Sequence, residues 1–332
     1  MAGRAGRRTI RWLQEQRLRP GERYGSSSPL LSHQICGGEV VNVERRVIAV
    51  TGAGSGIGAA LAREAATRGA AAIAVIDLER DAARRVAEEV SAAGTPAQAY
   101  QCDIADPDAV EQMASDVVCD FGEPVLVCAN AGVGGEVKPL LAESPANLNW
   151  ILSVNVVGTW ATLSAFGRHI VAAKKRGWLL VTASEHSLGV PFPGNAFYTM
   201  SKHAVLALAD VLRRELPPHI GVSALLPGLV ATAFSRSTTR RPAEFGGPGT
   251  ESETTRALLA QGMDPAVVAR AAFDGVQAEQ FLIATHAHAC RYWQQRCVDI
   301  EKAFTVLADS EIGDVSYDVT EVAARLSKQT TQ

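Results

Sequence analysis

Residues 51–58 read Thr51-Gly52-Ala53-Gly54-Ser55-Gly56-Ile57-Gly58 and form a glycine-rich turn between two patterned segments. The apolar run 47–50 before the turn predicts a buried strand, and the segment 57–67 after it predicts a helix. Glycines allow a tight strand-to-helix turn and let backbone N–H groups approach a phosphate, which the positive end of the helix dipole stabilises. The stretch therefore predicts an α/β fold with a dinucleotide site at its first turn.

Short apolar runs separated by helix-length segments continue along the chain from Val41. The runs are unbroken rather than alternating, which is typical of strands buried on both faces of a parallel sheet. This order predicts a Rossmann-type doubly wound parallel sheet of about seven strands, with helices on both faces, in a single α/β domain. The predicted strands are 47–50, 70–76, 97–102, 125–129, 178–181, 222–226 and 281–284. The predicted helices are 57–67, 80–93, 109–121, 148–175, 197–216 and 265–280.

The ends of the 332-residue chain differ from its centre. Residues 1–40 are predicted to be a disordered basic extension, because positions 1–24 hold seven arginines, two acidic residues and little periodicity. A transit peptide, a nucleic-acid arm and upstream sequence read from an early start codon are alternatives for this extension. We expect the folded domain to cover 41–308 and a tail to cover 309–332.

A polar stretch at 236–255, rich in Ser, Thr, Arg, Gly and Pro, interrupts the alternation after the sixth predicted strand. A loop of this length inside a compact domain is usually functional or disordered. It falls at the carboxyl edge of the sheet, where open α/β folds bind ligands. We therefore predict a lid insertion at about 233–262, with a plain mobile insertion as the alternative.

Charge and hydropathy exclude several function classes. The net charge is −3, and the chain outside the basic extension is mildly acidic, so it lacks the basic face of nucleic-acid-binding proteins. No run approaches the roughly 18 consecutive apolar residues expected of a membrane span, and the first residues lack the apolar core of a secretory signal. We expect a cytoplasmic protein without nucleic-acid or membrane partners.

Asp77 ends the second predicted strand, 19 residues after Gly58. A carboxylate at this spacing suits hydrogen bonds from the hydroxyls of an adenosine ribose, and it would repel a 2′-phosphate. The sequence therefore predicts NAD as cofactor in preference to NADP, although Arg80 is close enough to soften the repulsion. The alternative is that Asp77 only caps the next helix.

A second constellation, Tyr198-Thr199-Met200-Ser201-Lys202, begins an apolar-periodic helix. Residues four apart share one helix face, so the phenol and the ammonium can point into one cleft. A neighbouring ammonium favours the phenolate and lowers the pKa of a tyrosine, as general acid/base chemistry requires. Tyr198 is thus a candidate proton donor and acceptor.

In these motifs the chain resembles the short-chain dehydrogenase/reductase family. The turn at 51–58 matches that family's TGxxxGxG, Asn130-Ala131-Gly132 matches its NAG, Tyr198 and Lys202 match its YxxxK, and 227–232 resembles its PGxVxT. The resemblance covers about residues 43–290 and leaves out the two ends and the lid. It implies hydride transfer between a nicotinamide cofactor and a carbon bearing a hydroxyl or oxo group.

The resemblance also implies individual roles. Tyr198 would transfer the proton at the substrate oxygen, Lys202 would hold the nicotinamide ribose, and Asn155 would support a water-linked proton relay. Asp103 would contact adenine, and Thr232 would contact the nicotinamide amide. The implied cofactor site consists of Gly52, Ser55, Gly56, Ile57, Gly58, Asp77, Asp103, Ile104, Asn130, Ala131, Gly132, Tyr198, Lys202, Pro227, Gly228, Val230 and Thr232.

The catalytic serine is ambiguous in this chain. The family's serine usually lies 13 residues before the tyrosine, but that position here is Glu185. Thr182-Ala183-Ser184 fits the usual strand-end pattern, so we assign Ser184 and infer a one-residue insertion within 185–194. Its hydroxyl would stabilise charge on the substrate oxygen. Ser187 remains the alternative.

The sequence thus predicts an oxidoreductase that interconverts a secondary alcohol and a ketone, with Tyr198 as general acid/base. The alternative is a catalytically silent dinucleotide sensor of the same fold. The His286-x-His288-x-Cys290 pattern suggests a metal site, but no fourth ligand with suitable spacing accompanies it, so a structural role is favoured. His186 is a further candidate for the substrate pocket.

Two predicted helices, 148–175 and 197–216, carry apolar residues beyond one stripe. Apolar side chains on more than one side of a helix indicate a partner besides the sheet. The resemblance implies that these helices pair between subunits, so a homodimer or homotetramer is expected.

Overall fold

The computed structural model describes residues 41–189 and 192–307, with positions 319, 322, 323, 325 and 326. The predicted extension at 1–40 lies outside the described residues, as does most of the predicted tail at 309–332. The unit Ile35–Trp293 carries the sheet. Its strands are β1 (Val47–Thr51), β2 (Ala72–Asp77), β3 (Ala97–Gln101), β4 (Leu126–Ala129), β5 (Gly177–Thr182), β6 (Ile220–Leu226) and β7 (Leu282–Ala284).

Nine α-helices can be followed in the described ranges. They are α1 (Gly56–Thr67), α2 (Arg80–Ala92), α3 (Pro107–Phe121), α4 (Pro145–Leu152), α5 (Thr159–Ala173), α6 (Ala196–Glu215), α7 (Glu253–Leu259), α8 (Pro265–Gln277) and α9 (Ala289–Leu307).

All seven strands are parallel and stand in the order β3-β2-β1-β4-β5-β6-β7. Successive residues of β1 face opposite sides: Ile48 and Val50 pack in the core beneath α1, α2 and α8, and Ala49 packs beneath α3, α5 and α6. Because helices cover both faces, the strands read as unbroken apolar runs. The structure confirms the predicted Rossmann-type sheet.

The predicted continuous helix 148–175 is wrong at its start and in its middle. The helix begins earlier, where Ser144 Oγ accepts a hydrogen bond from Asn147 N and Pro145 occupies the first turn. A π-helical turn, Ser153–Gly158, then separates α4 from α5. Such turns have i→i+5 hydrogen bonds and occur frequently at functional sites.

The span Pro145–Ala173 is long and apolar enough to cross a membrane by length and mean hydropathy alone, although it contains no run of about 18 consecutive apolar residues. However, 61% of its most apolar window is buried inside the protein. Phe166 and Ile170, for example, belong to the core beneath the sheet. The span is therefore accounted for as a core helix.

The polar segment predicted as a lid has more regular structure than a loop. It contains two 3₁₀ helices, Phe234–Arg240 and Ala243–Phe245, and helix α7, whose N-terminus is capped by Ser252. Its two ends are joined by backbone hydrogen bonds from Met263 N to Leu229 O and from Ala231 N to Met263 O, both 2.9 Å. The segment 233–262, hereafter the lid, thus has a closed base.

Candidate active site

A cavity of about 520 Å³ opens at the carboxyl ends of the central strands. This edge is where parallel α/β sheets bind ligands. Every residue assigned to the cofactor from the sequence lines the cavity except Gly58, which lies directly behind the glycine-rich turn. Asn155 and Ser184 are buried close beside it.

The glycine-rich turn is packed too tightly for side chains at two positions. Gly52 has a φ of +65°, and a Cβ there would lie 2.8 Å from the Cα of Ala131. A Cβ on Gly58 would lie 2.1 Å from the carbonyl oxygen of Gly52. The turn therefore brings the N-terminus of α1 against the cavity with its backbone exposed. These features fit a pyrophosphate group.

Asp77 connects the end of β2 to this turn. Its Oδ2 accepts a hydrogen bond from Gly54 N at 2.9 Å, and its Oδ1 accepts one from Glu79 N at 3.0 Å, just before α2 begins. The carboxylate also lines the cavity. Asp77 therefore orders the chain before α2, whose N-cap residue is Glu79, and its carboxylate also faces the ligand space.

Asn130 joins three neighbouring strands at the floor of the cavity. Its Nδ2 donates to Thr51 O at 3.1 Å, and its Oδ1 accepts from Thr182 Oγ1 at 3.0 Å. Thr51 Oγ1 in turn accepts from the backbone N–H groups of Asn130 and Ala131. These hydrogen bonds fix the ends of β1, β4 and β5 relative to one another.

Asn155 lies in the π-helical turn and is fully buried. Its Oδ1 accepts from Val133 N at 2.7 Å, and its Nδ2 donates to Val133 O and to Ser201 Oγ, each at 2.9 Å. The amide therefore links the loop after β4 to helix α6, which carries Tyr198. The side-chain oxygen and nitrogen of Asn155 are both engaged in hydrogen bonds within the protein.

Tyr198 and Lys202 lie one turn apart on α6 and both line the cavity. Burial raises the pKa of Tyr198 to about 12, although a hydrogen bond with Ser184 lowers it. The charge of Glu185 also raises this pKa. Burial lowers the pKa of Lys202 to about 8. Burial thus outweighs the expected lowering of the Tyr198 pKa, and the group that favours the phenolate is the Ser184 hydroxyl.

The two candidate serines point to different partners. Ser184 is buried at the end of β5, where its Oγ accepts from His186 N at 3.2 Å and its hydroxyl reaches Tyr198. Ser187 Oγ donates instead to the backbone oxygen of Lys202 at 2.7 Å. The Ser187 hydroxyl is therefore engaged with the α6 backbone, and the geometry supports the choice of Ser184.

His186 packs against Tyr198, with ring centroids 5.3 Å apart. Its Nδ1 lies 2.7 Å from Thr199 Oγ1, and burial lowers the pKa of His186 to about 4, with His203 adding to the effect. A neutral imidazole thus covers one side of the tyrosine ring. Phe234 of the lid covers another, at 5.8 Å between ring centroids.

The two histidines after β7 contact two different loops. His286 Nδ1 accepts from Gly228 N at 3.0 Å, and His286 Nε2 lies 3.0 Å from Leu229 O, in the loop that follows β6. His288 Nε2 lies 2.9 Å from Glu185 Oε2, in the loop that follows β5. His286 therefore has a structural contact with the Gly228–Leu229 segment, and His288 has one with Glu185.

The lid forms one wall of the cavity, and the sequence patterns did not indicate which lid residues line it. The signal was present as two isolated aromatics, Phe234 and Phe245, within an otherwise polar stretch. Trp150 and Val154 line the same cavity and add to its apolar wall. The lid residues that line the cavity are Ala233, Phe234, Ser237, Arg240, Pro242, Glu244, Phe245 and Leu259.

Comparison with known proteins agrees with this geometry. The family model for short chain dehydrogenases matches residues 46–243, more than half of the chain. The chain therefore belongs to the short-chain dehydrogenase family, which is a family of oxidoreductases that bind a nicotinamide dinucleotide. The fold and the site together define this class.

Three particular proteins illustrate the similarity. The 1-deoxy-11-beta-hydroxypentalenate dehydrogenase of Streptomyces exfoliatus is 34% identical over 66% of this chain and 80% of its own length. Versicolorin reductase stcU of Emericella nidulans is 31% identical over 60% of this chain and 74% of its own. A short-chain dehydrogenase from Burkholderia phymatum, solved in complex with NAD, has a TM-score of 0.75 and 26% identity, covering 79% of this chain and 96% of its own.

Proposed function

We propose that this protein interconverts a secondary alcohol and a ketone by hydride transfer, with Tyr198 as general acid/base. The observation that carries the proposal is the arrangement of Ser184, Tyr198 and Lys202 at one end of a cavity whose other end is the glycine-rich turn. A nicotinamide cofactor, when bound, supplies or accepts the hydride. The catalytic part of the chain is the folded domain expected at 41–308, with the lid as its substrate cover.

The protein's own groups handle the proton and the charge. In ketone reduction, Tyr198 donates its proton to the substrate oxygen, and the Ser184 hydroxyl stabilises the charge that develops there. In alcohol oxidation, the phenolate of Tyr198 takes that proton back. Lys202 orients the ribose next to the nicotinamide, and Asn155 holds α6 against the loop after β4.

We propose NAD rather than NADP as the preferred cofactor. Asp77 places a carboxylate at the adenosine end of the cavity. A 2′-phosphate would be repelled by this carboxylate.

The proposed substrate is a small to medium apolar molecule. Its end of the cavity is walled by Trp150, Val154, Phe234 and Phe245. The related enzymes named for 1-deoxy-11-beta-hydroxypentalenate and versicolorin support this substrate class by analogy. The lid supplies much of the wall, so its residues are expected to set specificity.

Turnover of a panel of apolar secondary alcohols with NAD⁺, and of the matching ketones with NADH, tests the proposal. The absorbance of the reduced nicotinamide reports the reaction. Tyr198→Phe should lower kcat by about 10²- to 10⁴-fold while NADH still binds. Absence of turnover across the panel with both NAD(H) and NADP(H), while NADH binds, would favour the silent sensor.

We also propose a homodimer or homotetramer in the cytoplasm. Trp160 on α5 and Val211 on α6 are 50% and 53% exposed, and Val157 in the π-helical turn is 39% exposed. An apolar surface of this kind is typical of a subunit interface. Sedimentation equilibrium of wild type and Trp160→Glu tests it, and a wild type that sediments as a monomer would refute it.

A further inference from the structure

The lid is attached to the rest of the domain by two consecutive arginines that reach in different directions. Arg240 Nε lies 2.6 Å from Glu79 Oε1, in the turn after β2. Arg241 Nη2 lies 3.1 Å from Glu136 Oε1, in the loop after β4. In the sheet, β2 and β4 are the two neighbours of β1. The lid therefore crosses the carboxyl end of β1, which carries the glycine-rich turn.

The two attachments differ in strength. Arg241 is 12% exposed, its Nε donates to Gly247 O at 2.8 Å, and its guanidinium stacks near Trp150. Arg241 is therefore held by contacts within the lid and by contacts with residues outside it. Arg240 and Glu79 are 39% and 45% exposed, and water screens such a pair. The Arg240 side is therefore the side that opens more easily.

The Arg240–Glu79 pair, which separates more easily than the Arg241–Glu136 pair, lies at the adenosine end of the proposed dinucleotide site. Glu79 follows Asp77 by two residues, and its backbone N–H donates to the Asp77 carboxylate. Arg240 itself lines the cavity together with Asp77 and Gly56. A dinucleotide extended from Asp77 toward Tyr198 would therefore run past Arg240 and the ion pair that it forms with Glu79.

We infer that the Arg240–Glu79 ion pair closes the lid over the adenosine half of the cofactor and slows cofactor release. The inference rests on the proposed function, because it needs a dinucleotide in this cavity. Release then requires the pair to separate, whereas the Arg241–Glu136 side stays joined as the hinge. Arg240 and Glu79 are positioning residues in this scheme and take no part in the proton transfer.

The release rate of the reduced cofactor tests the inference directly and without turnover. Protein loaded with NADH is mixed with excess NAD⁺ in a stopped-flow instrument, and the loss of bound-nicotinamide fluorescence is followed. Arg240→Gln and Glu79→Gln should each raise the release rate about two- to fivefold, the range expected of one exposed ion pair. The double variant should release no faster than either single variant.

Two further variants separate the ion pair from general effects on the lid. Arg236→Gln is the matched control, since Arg236 lies in the same lid but pairs with Glu251 inside it, at 3.8 Å. Its release rate should equal that of wild type. The exchanged pair, Glu79→Arg with Arg240→Glu, should return the release rate to within about twofold of wild type.

The dependence of the release rate on salt concentration provides an independent test, because screening by salt weakens an exposed ion pair. Raising ionic strength should speed release from wild type more than from the double glutamine variant. Unchanged release in both single variants, or additive effects in the double variant, would overturn the inference while leaving the proposed function intact. Failure of wild type to bind either NADH or NADPH would instead refute the proposed function, and the inference with it.

Discussion

The Nζ atom of Lys202 donates a hydrogen bond to the backbone carbonyl oxygen of Thr182 at 2.7 Å. Thr182 is the last residue of β5, two positions before Ser184, so this bond ties the helix carrying Tyr198 to the strand carrying the serine. The same side chain is expected to hold the nicotinamide ribose. Lys202 therefore aligns α6 with the end of β5, in addition to its proposed contact with the cofactor.

Replacing Lys202 by Met should lower kcat/KM by about 10²- to 10³-fold, because both the alignment and the ribose contact are lost. The dissociation constant of NADH should rise in parallel, which fluorescence titration measures. Lys175→Met, which removes an exposed lysine near Glu123, is the control and should behave as wild type. A variant at position 202 with normal kcat/KM would contradict the assigned role.

The pH dependence of alcohol oxidation should report the pKa of Tyr198, because oxidation needs the phenolate. Ser184→Ala removes a hydrogen bond that favours the phenolate, so the pKa of Tyr198 should rise. The rising limb of the plot of kcat/KM against pH should then move to higher pH. Glu185→Gln removes a negative charge that disfavours the phenolate, so the limb should move to lower pH.

These two shifts have opposite signs and are read from kcat/KM profiles measured under identical conditions. Ser187→Ala is the control for the serine, since Ser187 Oγ is bonded to the α6 backbone. It should leave the limb in place. If Ser187→Ala alone removed activity, Ser184 would be the wrong choice.

Asp77→Asn should change the cofactor preference. The amide oxygen can still accept a hydrogen bond from Gly54 N, but the negative charge opposite a 2′-phosphate is gone. The ratio of kcat/KM for NADH to that for NADPH should fall at least about tenfold, equivalent to about 1.4 kcal/mol. Asp81→Asn, on the exposed start of α2, should leave the ratio unchanged. A wild-type kcat/KM for NADPH equal to or higher than that for NADH would refute the assignment of NAD.

Two glycine-to-alanine substitutions within helices should have opposite effects on the midpoint of thermal unfolding. Gly58→Ala puts a Cβ 2.1 Å from the backbone of Gly52, so the turn must shift and stability should fall by about 1 to 3 kcal/mol. Gly167→Ala meets no atom closer than 3.9 Å and gains helix propensity, so stability should rise by about 0.5 to 1 kcal/mol. Equal effects would show that the close approach at Gly58 is unimportant.

The fold and the cofactor half of the site were predictable because their signals are local. The run 47–50, the turn at 51–58 and Asp77 follow one another within a single βαβ unit, and each adopts the conformation that its own sequence favours. Buried strands read as apolar runs whatever they pair with. The sheet, the glycine-rich turn and Asp77 followed from these patterns, whereas further residues that line the cavity, such as Asp103 and Asn130, were indicated by the family resemblance.

The π-helical turn and the lid depend on contacts far apart in the chain. Asn155 is bonded to Val133, 22 residues away, and Arg240 is paired with Glu79 across the cavity. Neither partner is marked in the local sequence. Periodicity therefore predicted one straight helix and one loop, where distant partners produce an irregular turn and a segment of short helices.

The π-helical turn at Ser153–Gly158 also limits how the length of this part of the chain can change. Removing one residue there would restore α-helical phase and rotate the following helix by about 100°. Phe166, fully buried, would turn out of the core, and the half-exposed Trp160 would turn toward another environment. We therefore expect a single-residue insertion or deletion in this turn to destabilise the fold. It would rotate the 15 residues of α5, so that buried side chains would face solvent and exposed ones would face the core.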